Sequence, residues 1–182
     1  MAEFSDVASK VKPPEGIKLN DMLTLATQGL QYQKMQELYP ELIAKAKAEA
    51  VDFDATNWPM ADLAWINSPS NPTGRVHSDE EIFAAIDWAR NNGIAIFDEC
   101  YLEFGDYKKP KSVLALTGGN NKNILAVHSL SKRSNMAGYR AAMLIGDPDL
   151  VAKILEVRKH AGGMVPLPVQ NAMVAALSDS DH

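Results

Sequence analysis

Lys132 stands between Ser131 and Arg133, three residues after Ser129 and eight before Arg140. A lysine amine attacks a carbonyl only when neutral. Such a role needs a lowered pKa, from burial or from a nearby cation such as Arg133 or Arg140. Ser129, Ser131 and Arg140 supply two hydroxyls and a planar guanidinium fork, donors suited to a phosphate dianion. Upstream, Asp98 and Tyr101 add a carboxylate and a phenol, and Asn71 in "SNPTG" adds an amide. A Schiff-base lysine, an acid for a ring nitrogen and a phosphate site are together what pyridoxal phosphate requires. In that arrangement Asp98 keeps the pyridine nitrogen protonated, and Tyr101 and Asn71 are candidates for the phenolic oxygen.

Each residue alone has a plainer account. A lone lysine after a strand is usually a surface lysine. Asp98 and the serines fit turn chemistry, Asn71 an ordinary turn asparagine, Tyr101 a core edge and Arg140 a surface ion pair. Their common placement argues for the site. All of these plain accounts holding together on one rim is the weaker explanation.

That placement follows from the elements around them. Leu63–Ile66, Ile94–Phe97, Ile124–Val127 and Ala141–Ile145 are short apolar runs that read as strands. Ser78 and Glu81 form a capping-box pattern, and Ile82, Ala85, Ile86 and Ala89 give the following helix one apolar face. Gly93 is expected to stop that helix. Asp147-Pro148 opens a helix running to about His160, and a last helix spans about Pro168 to Leu177. Apolar strands alternating with amphipathic helices predict an α/β fold, a mostly parallel sheet with helices on both faces. Ligands in such sheets gather at the carboxyl ends of strands, where Asn67–Gly74, Asp98–Tyr101 and Ser129–Arg140 all lie. Strands near 62–67, 94–98 and 124–128 are expected to be parallel. The short link from 128 to 141 predicts an antiparallel fourth. Residues 1–53 read as an atypical helical lead-in, with apolar residues at helical spacing from Leu19 to about Val51, and residues 54–182 as the sheet domain.

At 182 residues the chain is long enough for one domain with a real core. Its net charge of −5, with no basic stripe, argues against a nucleic-acid partner. The single cysteine, Cys100, excludes an internal disulfide and fits a reducing compartment. No apolar run approaches a membrane span, so the expectation is a soluble, cytoplasmic protein.

"NPTG", "DECY" and "SLSKRSNMAGYR", in this order, resemble the class I/II aminotransferases of the fold-type I pyridoxal-phosphate enzymes. The wording "WINSPSNPTGRV", "FDECYLEFGD" and "VRKHAGGMVPLPVQNAM" is most similar to N-succinyldiaminopimelate aminotransferases of lysine biosynthesis. The resemblance covers about residues 54–182. It implies pyridoxal 5'-phosphate as cofactor, Lys132 as the Schiff-base lysine and Asp98 at the pyridine nitrogen. It assigns Tyr101 and Asn71 to the phenolic oxygen and Ser129 and Arg140 to the phosphate, with Ser131 nearby. It implies amino-acid and 2-oxo-acid substrates, with N-succinyl-LL-2,6-diaminopimelate and 2-oxoglutarate as candidates, and leaves a homodimer open.

Family members are longer than this chain. They add segments that hold the phosphate through backbone amides, stack on the ring and grip the substrate carboxylate. The expectation is therefore the partial large domain of such an enzyme, a poor catalyst on its own. The rival readings are another fold-type I enzyme, a cofactor-binding remnant without turnover, and an unrelated phosphate-binding α/β domain.

Overall fold

The computed structural model describes residues 50–51, 53, 55–103 and 110–179. The helical lead-in expected over residues 1–53 lies almost entirely outside them. The described residues fall into two units, 50–156 with 164–179, and 157–163. The sheet and every residue proposed for the site belong to the first. In the second, Ala161 N–H donates to Val157 O at 2.9 Å and Gly163 N–H to Arg158 O at 2.9 Å.

Four strands form one sheet in the order β1 (Leu63–Asn67), β2 (Ile94–Asp98), β3 (Ile124–Ser129) and β4 (Ala142–Gly146). β1, β2 and β3 run parallel, and β4 is antiparallel to β3. These are the directions the connection lengths predict. Asn67 is in register with Asp98, Asp98 with Val127, and Ser129 with Ala142. The polar segments after β1, β2 and β3 therefore start from one edge.

Helix α1 (Asp79–Asn91) joins β1 to β2. Its capping box is formed: Ser78 Oγ accepts from Glu81 N–H at 3.2 Å, and Glu81 Oε2 accepts from Ser78 N–H at 2.8 Å. Asp79, Glu80 and Glu81 in its first turn complement the helix dipole. Ile82, Ala85, Ile86 and Ala89 are buried against Ile66, Ala95, Phe97, Ile124 and Ala126 of one sheet face. Each fully buried isoleucine contributes about 1.5–3 kcal/mol. The same face takes Val113 of the short helix α2 (Val113–Leu116). The opposite face buries Leu125 and leaves Leu63 and Trp65 exposed.

The end of α1 differs from expectation. Asn92 is the C-cap, its N–H donating to Trp88 O, and Gly93 has no left-handed backbone. Gly93 is required for space instead. A Cβ there would stand 2.7 Å from Ala61 O and 2.9 Å from Asp62 O. Gly146 shows the other use of glycine. At φ 145° it closes β4 in a conformation that L side chains rarely adopt.

The short link from β3 to β4 holds the short helix α3 (Leu130–Arg133) and a 3-10 turn (Ala137–Tyr139). Neither is long enough to give a periodic signal. Helix α4 (Pro148–His160) and helix α5 (Leu167–Ser178) fall where their patterns place them. No helix among the described residues is long and apolar enough to cross a membrane.

Candidate active site

The site grows from the ends of the parallel strands. β1 ends in Asn67, whose amide works in two directions. Its Nδ2 donates to Asp98 O at 3.1 Å, and its Oδ1 accepts from Asn71 N–H at 2.7 Å. One side chain thus ties the end of β1 to the end of β2 and fixes the "SNPTG" turn. That turn contains two cis peptide bonds, Ser68–Pro69 and Asn71–Pro72. Asn71 then donates from Nδ2 to the Tyr101 hydroxyl at 3.3 Å.

Asp98 is the last residue of β2, and its Oδ1 accepts from Cys100 N–H at 3.1 Å. The turn-capping role weighed for it from sequence is therefore real, and it orients the carboxylate. Cys100 lies between Asp98 and the Ser129 hydroxyl. Burial first, then hydrogen bonding and charge from Asp98, push its thiol up to about 12, against a smaller opposing effect of Ser129. Cys100 is a packing thiol here, held in its protonated form.

Ser129 ends β3 and caps α3, its Oγ accepting from Ser131 N–H at 3.1 Å. Leu130, fully buried, anchors the turn: its N–H donates to Ala141 O at 3.2 Å, and its carbonyl accepts from Ser134 and Met136. With Leu130 facing in, Lys132 two residues on is exposed. Its Nζ stands 5.7 Å over the ring centre of Tyr101.

Tyr101 is the meeting point. It takes the Asn71 amide on its hydroxyl and the Lys132 ammonium over its face, so three strand ends are joined at one ring. Asp98 lies three residues before it on the same turn. The ring-side donors and acceptors that pyridoxal phosphate requires, an amine, a carboxylate, a phenol and an amide, are thus gathered on one edge, and they fit that group.

The phosphate side is less closely drawn. Arg140 sits in left-handed backbone at φ 52° and ψ 44°, and its Nη1 donates to Ala137 O at 3.1 Å rather than to Ser129. Ser131 contributes its backbone N–H to the Ser129 cap. Each arginine offered as a cation beside Lys132 donates to a backbone carbonyl. Arg133 pairs with Glu103 at 3.0 Å and donates to Ala176 O at 3.1 Å. The pull of Glu103 and the helix α5 carbonyl decides its direction, and neither is near it in sequence.

Asn67 was not singled out as a site residue. Its signal was available: a polar amide ending an apolar strand just before a turn. The register that sets it beside Asp98 was not.

Comparison with solved structures defines the fold. An aminotransferase AspB from Helicobacter pylori superposes with a TM-score of 0.63 at 34% identity, over 75% of this chain and 37% of its own. An N-succinyldiaminopimelate aminotransferase from Mycobacterium tuberculosis gives 0.62 at 24% identity over 75% of this chain and 37% of its own, a likeness of fold alone. The architecture is that of the fold-type I aminotransferases. The family model described as aminotransferase class I and II matches residues 26–182. The chain belongs to the class I and II aminotransferases, a family that depends on pyridoxal 5'-phosphate. The match begins well before residue 54, so family likeness extends into the segment read as an atypical lead-in. The chain is also 55% identical over 123 residues to the 4-dedimethylamino-4-oxo-anhydrotetracycline transaminase OxyQ of Streptomyces rimosus, covering 66% of this chain and 34% of that protein. It thus spans about a third of the length of that curated relative.

Proposed function

We propose that residues 54–182 form the cofactor-binding part of a pyridoxal-phosphate-dependent aminotransferase. The observation that carries this reading is the convergence of Asn71 and Lys132 on Tyr101, at the edge where β2 delivers Asp98. In it Lys132 would hold the cofactor through its aldehyde group, and Asp98 would hold a proton at the pyridine nitrogen. Asn71 and Tyr101 donate to the phenolic oxygen. Ser129 and Arg140 bind the phosphate, with Ser131 beside them.

When bound, pyridoxal phosphate supplies an electron sink for negative charge at the substrate's α-carbon. The Lys132 amine would be the base that takes the proton from that carbon. Tyr101 keeps the amine over its ring between these roles. Asn67 and Asn71 hold Tyr101 so that its hydroxyl does not turn away.

For the substrate, the motif wording favours N-succinyl-LL-2,6-diaminopimelate as amino donor and 2-oxoglutarate as acceptor, in diaminopimelate and lysine biosynthesis. The identity to OxyQ favours a second reading, in which a ring ketone of a polycyclic compound accepts the amine. The reading takes small-molecule amino-acid and 2-oxo-acid substrates in the cytoplasm, and leaves a homodimer open.

The test begins with a spectrum of the protein mixed with pyridoxal phosphate, followed by borohydride and peptide mapping. The expected result is a pyridoxyl group on Lys132. A label on Lys122 or Lys159 instead, or protein that stays colourless, overturns the reading. Spectral half-reactions with N-succinyl-LL-2,6-diaminopimelate and a panel of other amines then separate the substrates.

A further inference from the structure

Side chains alternate across a strand, so the residues beside Asp98 and Ser129 face the other way. Asp98 and Ser129 lie on the face that bears the proposed cofactor site. Glu99 and His128 lie on the face covered by α1, with Ala95, Phe97, Ile124 and Ala126. Since Asp98 is in register with Val127, Glu99 comes beside His128, and Glu99 N–H donates to Val127 O at 2.9 Å. The His128 Nε2 and Glu99 Oε2 atoms are 2.8 Å apart, with the carboxylate side chain 4% exposed and the imidazole 22%. The contact is a charge pair by distance, without in-line hydrogen-bond geometry at that oxygen. The second carboxylate oxygen accepts from Val113 N–H at 2.6 Å. This nearly buried pair has no part in the chemistry proposed above.

We propose that Glu99 and His128 are positioning residues: their charge pair clamps the ends of β2 and β3 together, and so sets the spacing of Asp98 and Ser129 on the opposite face. The inference rests on the cofactor-site reading for its use, but not for its geometry. The pair lines one small cavity with Cys100, Met143 and, of the proposed site residues, Ser129. The charged groups around His128 are few. Glu99 on the end of β2 is its partner, and Glu103 in the next turn adds negative charge. Arg133 of α3 lines the same cavity, its guanidinium held by Glu103, and α5 contributes the apolar Leu177. Close contact with Glu99 raises the imidazole pKa above its ordinary value, burial opposes this, and the charges of Glu99 and Glu103 reinforce it. A raised folded pKa means the clamp is complete below the ordinary histidine value of about 6.5 and is lost as pH rises through the higher folded value.

The chain carries its own reporter. Cys100 is the single cysteine, and it lies between Asp98 and Ser129. Because its thiol is pushed up to about 12, its alkylation by iodoacetamide should rise about tenfold per pH unit, with no inflection of its own near neutrality. The clamp adds one. Across the titration of His128, the parent should gain a further rise of about 5- to 30-fold, the range that one broken contact of this strength commands. His128→Gln and Glu99→Gln should be fast already on the acid side and lack the extra rise. His128→Lys, a cation that does not titrate there, should restore protection without the inflection. Parallel profiles for the parent and His128→Gln overturn the proposal, and so does a His128→Lys profile that matches His128→Gln. Should Glu99→Gln fail to fold, the two His128 variants decide. The affinity for pyridoxal phosphate, measured by absorbance over the same range, should weaken with the same inflection in the parent only. If the parent takes no pyridoxyl group at Lys132, the functional reading falls while the alkylation profiles still judge the clamp. If Lys132 is labelled and the profiles are parallel, the clamp falls alone.

Discussion

The ammonium of Lys132 stands 5.7 Å above the ring centre of Tyr101, whose hydroxyl is held by Asn71 at 3.3 Å. This stacks a cation from the β3 end on a phenol from the β2 end. Tyr101→Phe keeps the ring under Lys132 and removes the hydroxyl. It should weaken cofactor binding by about 0.5–1.5 kcal/mol, the net worth of one hydrogen bond. Tyr101→Ala should lose a further 0.5–1 kcal/mol or so from the cation–π contact, and slow the labelling of Lys132. Equal labelling rates in the two variants would show that the ring does not orient the lysine.

Asn67 makes two bonds that differ in polarity, so two substitutions separate them. Asn67→Ala should cost about 1–3 kcal/mol, from two hydrogen bonds of 0.5–1.5 kcal/mol each. Asn67→Asp keeps the acceptor for Asn71 N–H and loses the donor to Asp98 O. Hydrogen exchange at the Asn71 amide should therefore be fast in Asn67→Ala and slow in Asn67→Asp. Fast exchange in both would remove Asn67 from the frame of the site.

Arg140 holds left-handed backbone at φ 52°, which costs an L residue roughly 1–2 kcal/mol relative to glycine. Arg140→Gly should relieve that strain, offset in part by the greater freedom of glycine in the unfolded chain. Its melting temperature should exceed that of Arg140→Ala, while both variants lose affinity for pyridoxal phosphate. A more stable Arg140→Ala would show that the backbone conformation is not under strain.

Asp147 is buried ahead of Pro148, its Oδ1 accepting from Asp149 N–H at 2.9 Å and Leu150 N–H at 3.2 Å, as an N-cap does. Its Oδ2 accepts from Asn123 N–H at 2.8 Å at the start of β3. The bond from Asn123 is the main cause that holds this carboxyl below the usual aspartate range, with Leu150 and Asp149 adding to it against some desolvation. A depressed folded pKa gives stability that is complete above the unfolded value of about 3.9 and is lost as pH falls through the folded one. Asp147→Ala should cost about 0.5–2 kcal/mol at neutral pH. In urea melts the gap between parent and variant should close in strong acid. A gap that stays constant with pH would exclude the charged cap.

The sequence by itself determined the strands, the α1 capping box and the direction of each strand. These follow from local quantities: apolar spacing, a cap three residues from its partner, and links too short or long enough for a crossover. It also named the residues proposed for the site, because strand ends in a mostly parallel sheet share an edge. What the tertiary structure decided is which of those side chains meet. Lys132 lies over Tyr101, while Arg140 bonds to Ala137 and Arg133 pairs with Glu103. Gly93 proved to be a close-approach residue because Ala61 and Asp62, which crowd it, belong to another segment. Asn67 reaches Asp98, and Glu99 faces His128, only once the register of three strands is fixed. Periodicity tells which side of its own strand a residue faces. Which residue lies beside it depends on the pairing of distant segments, and that is set by the packing of the whole sheet.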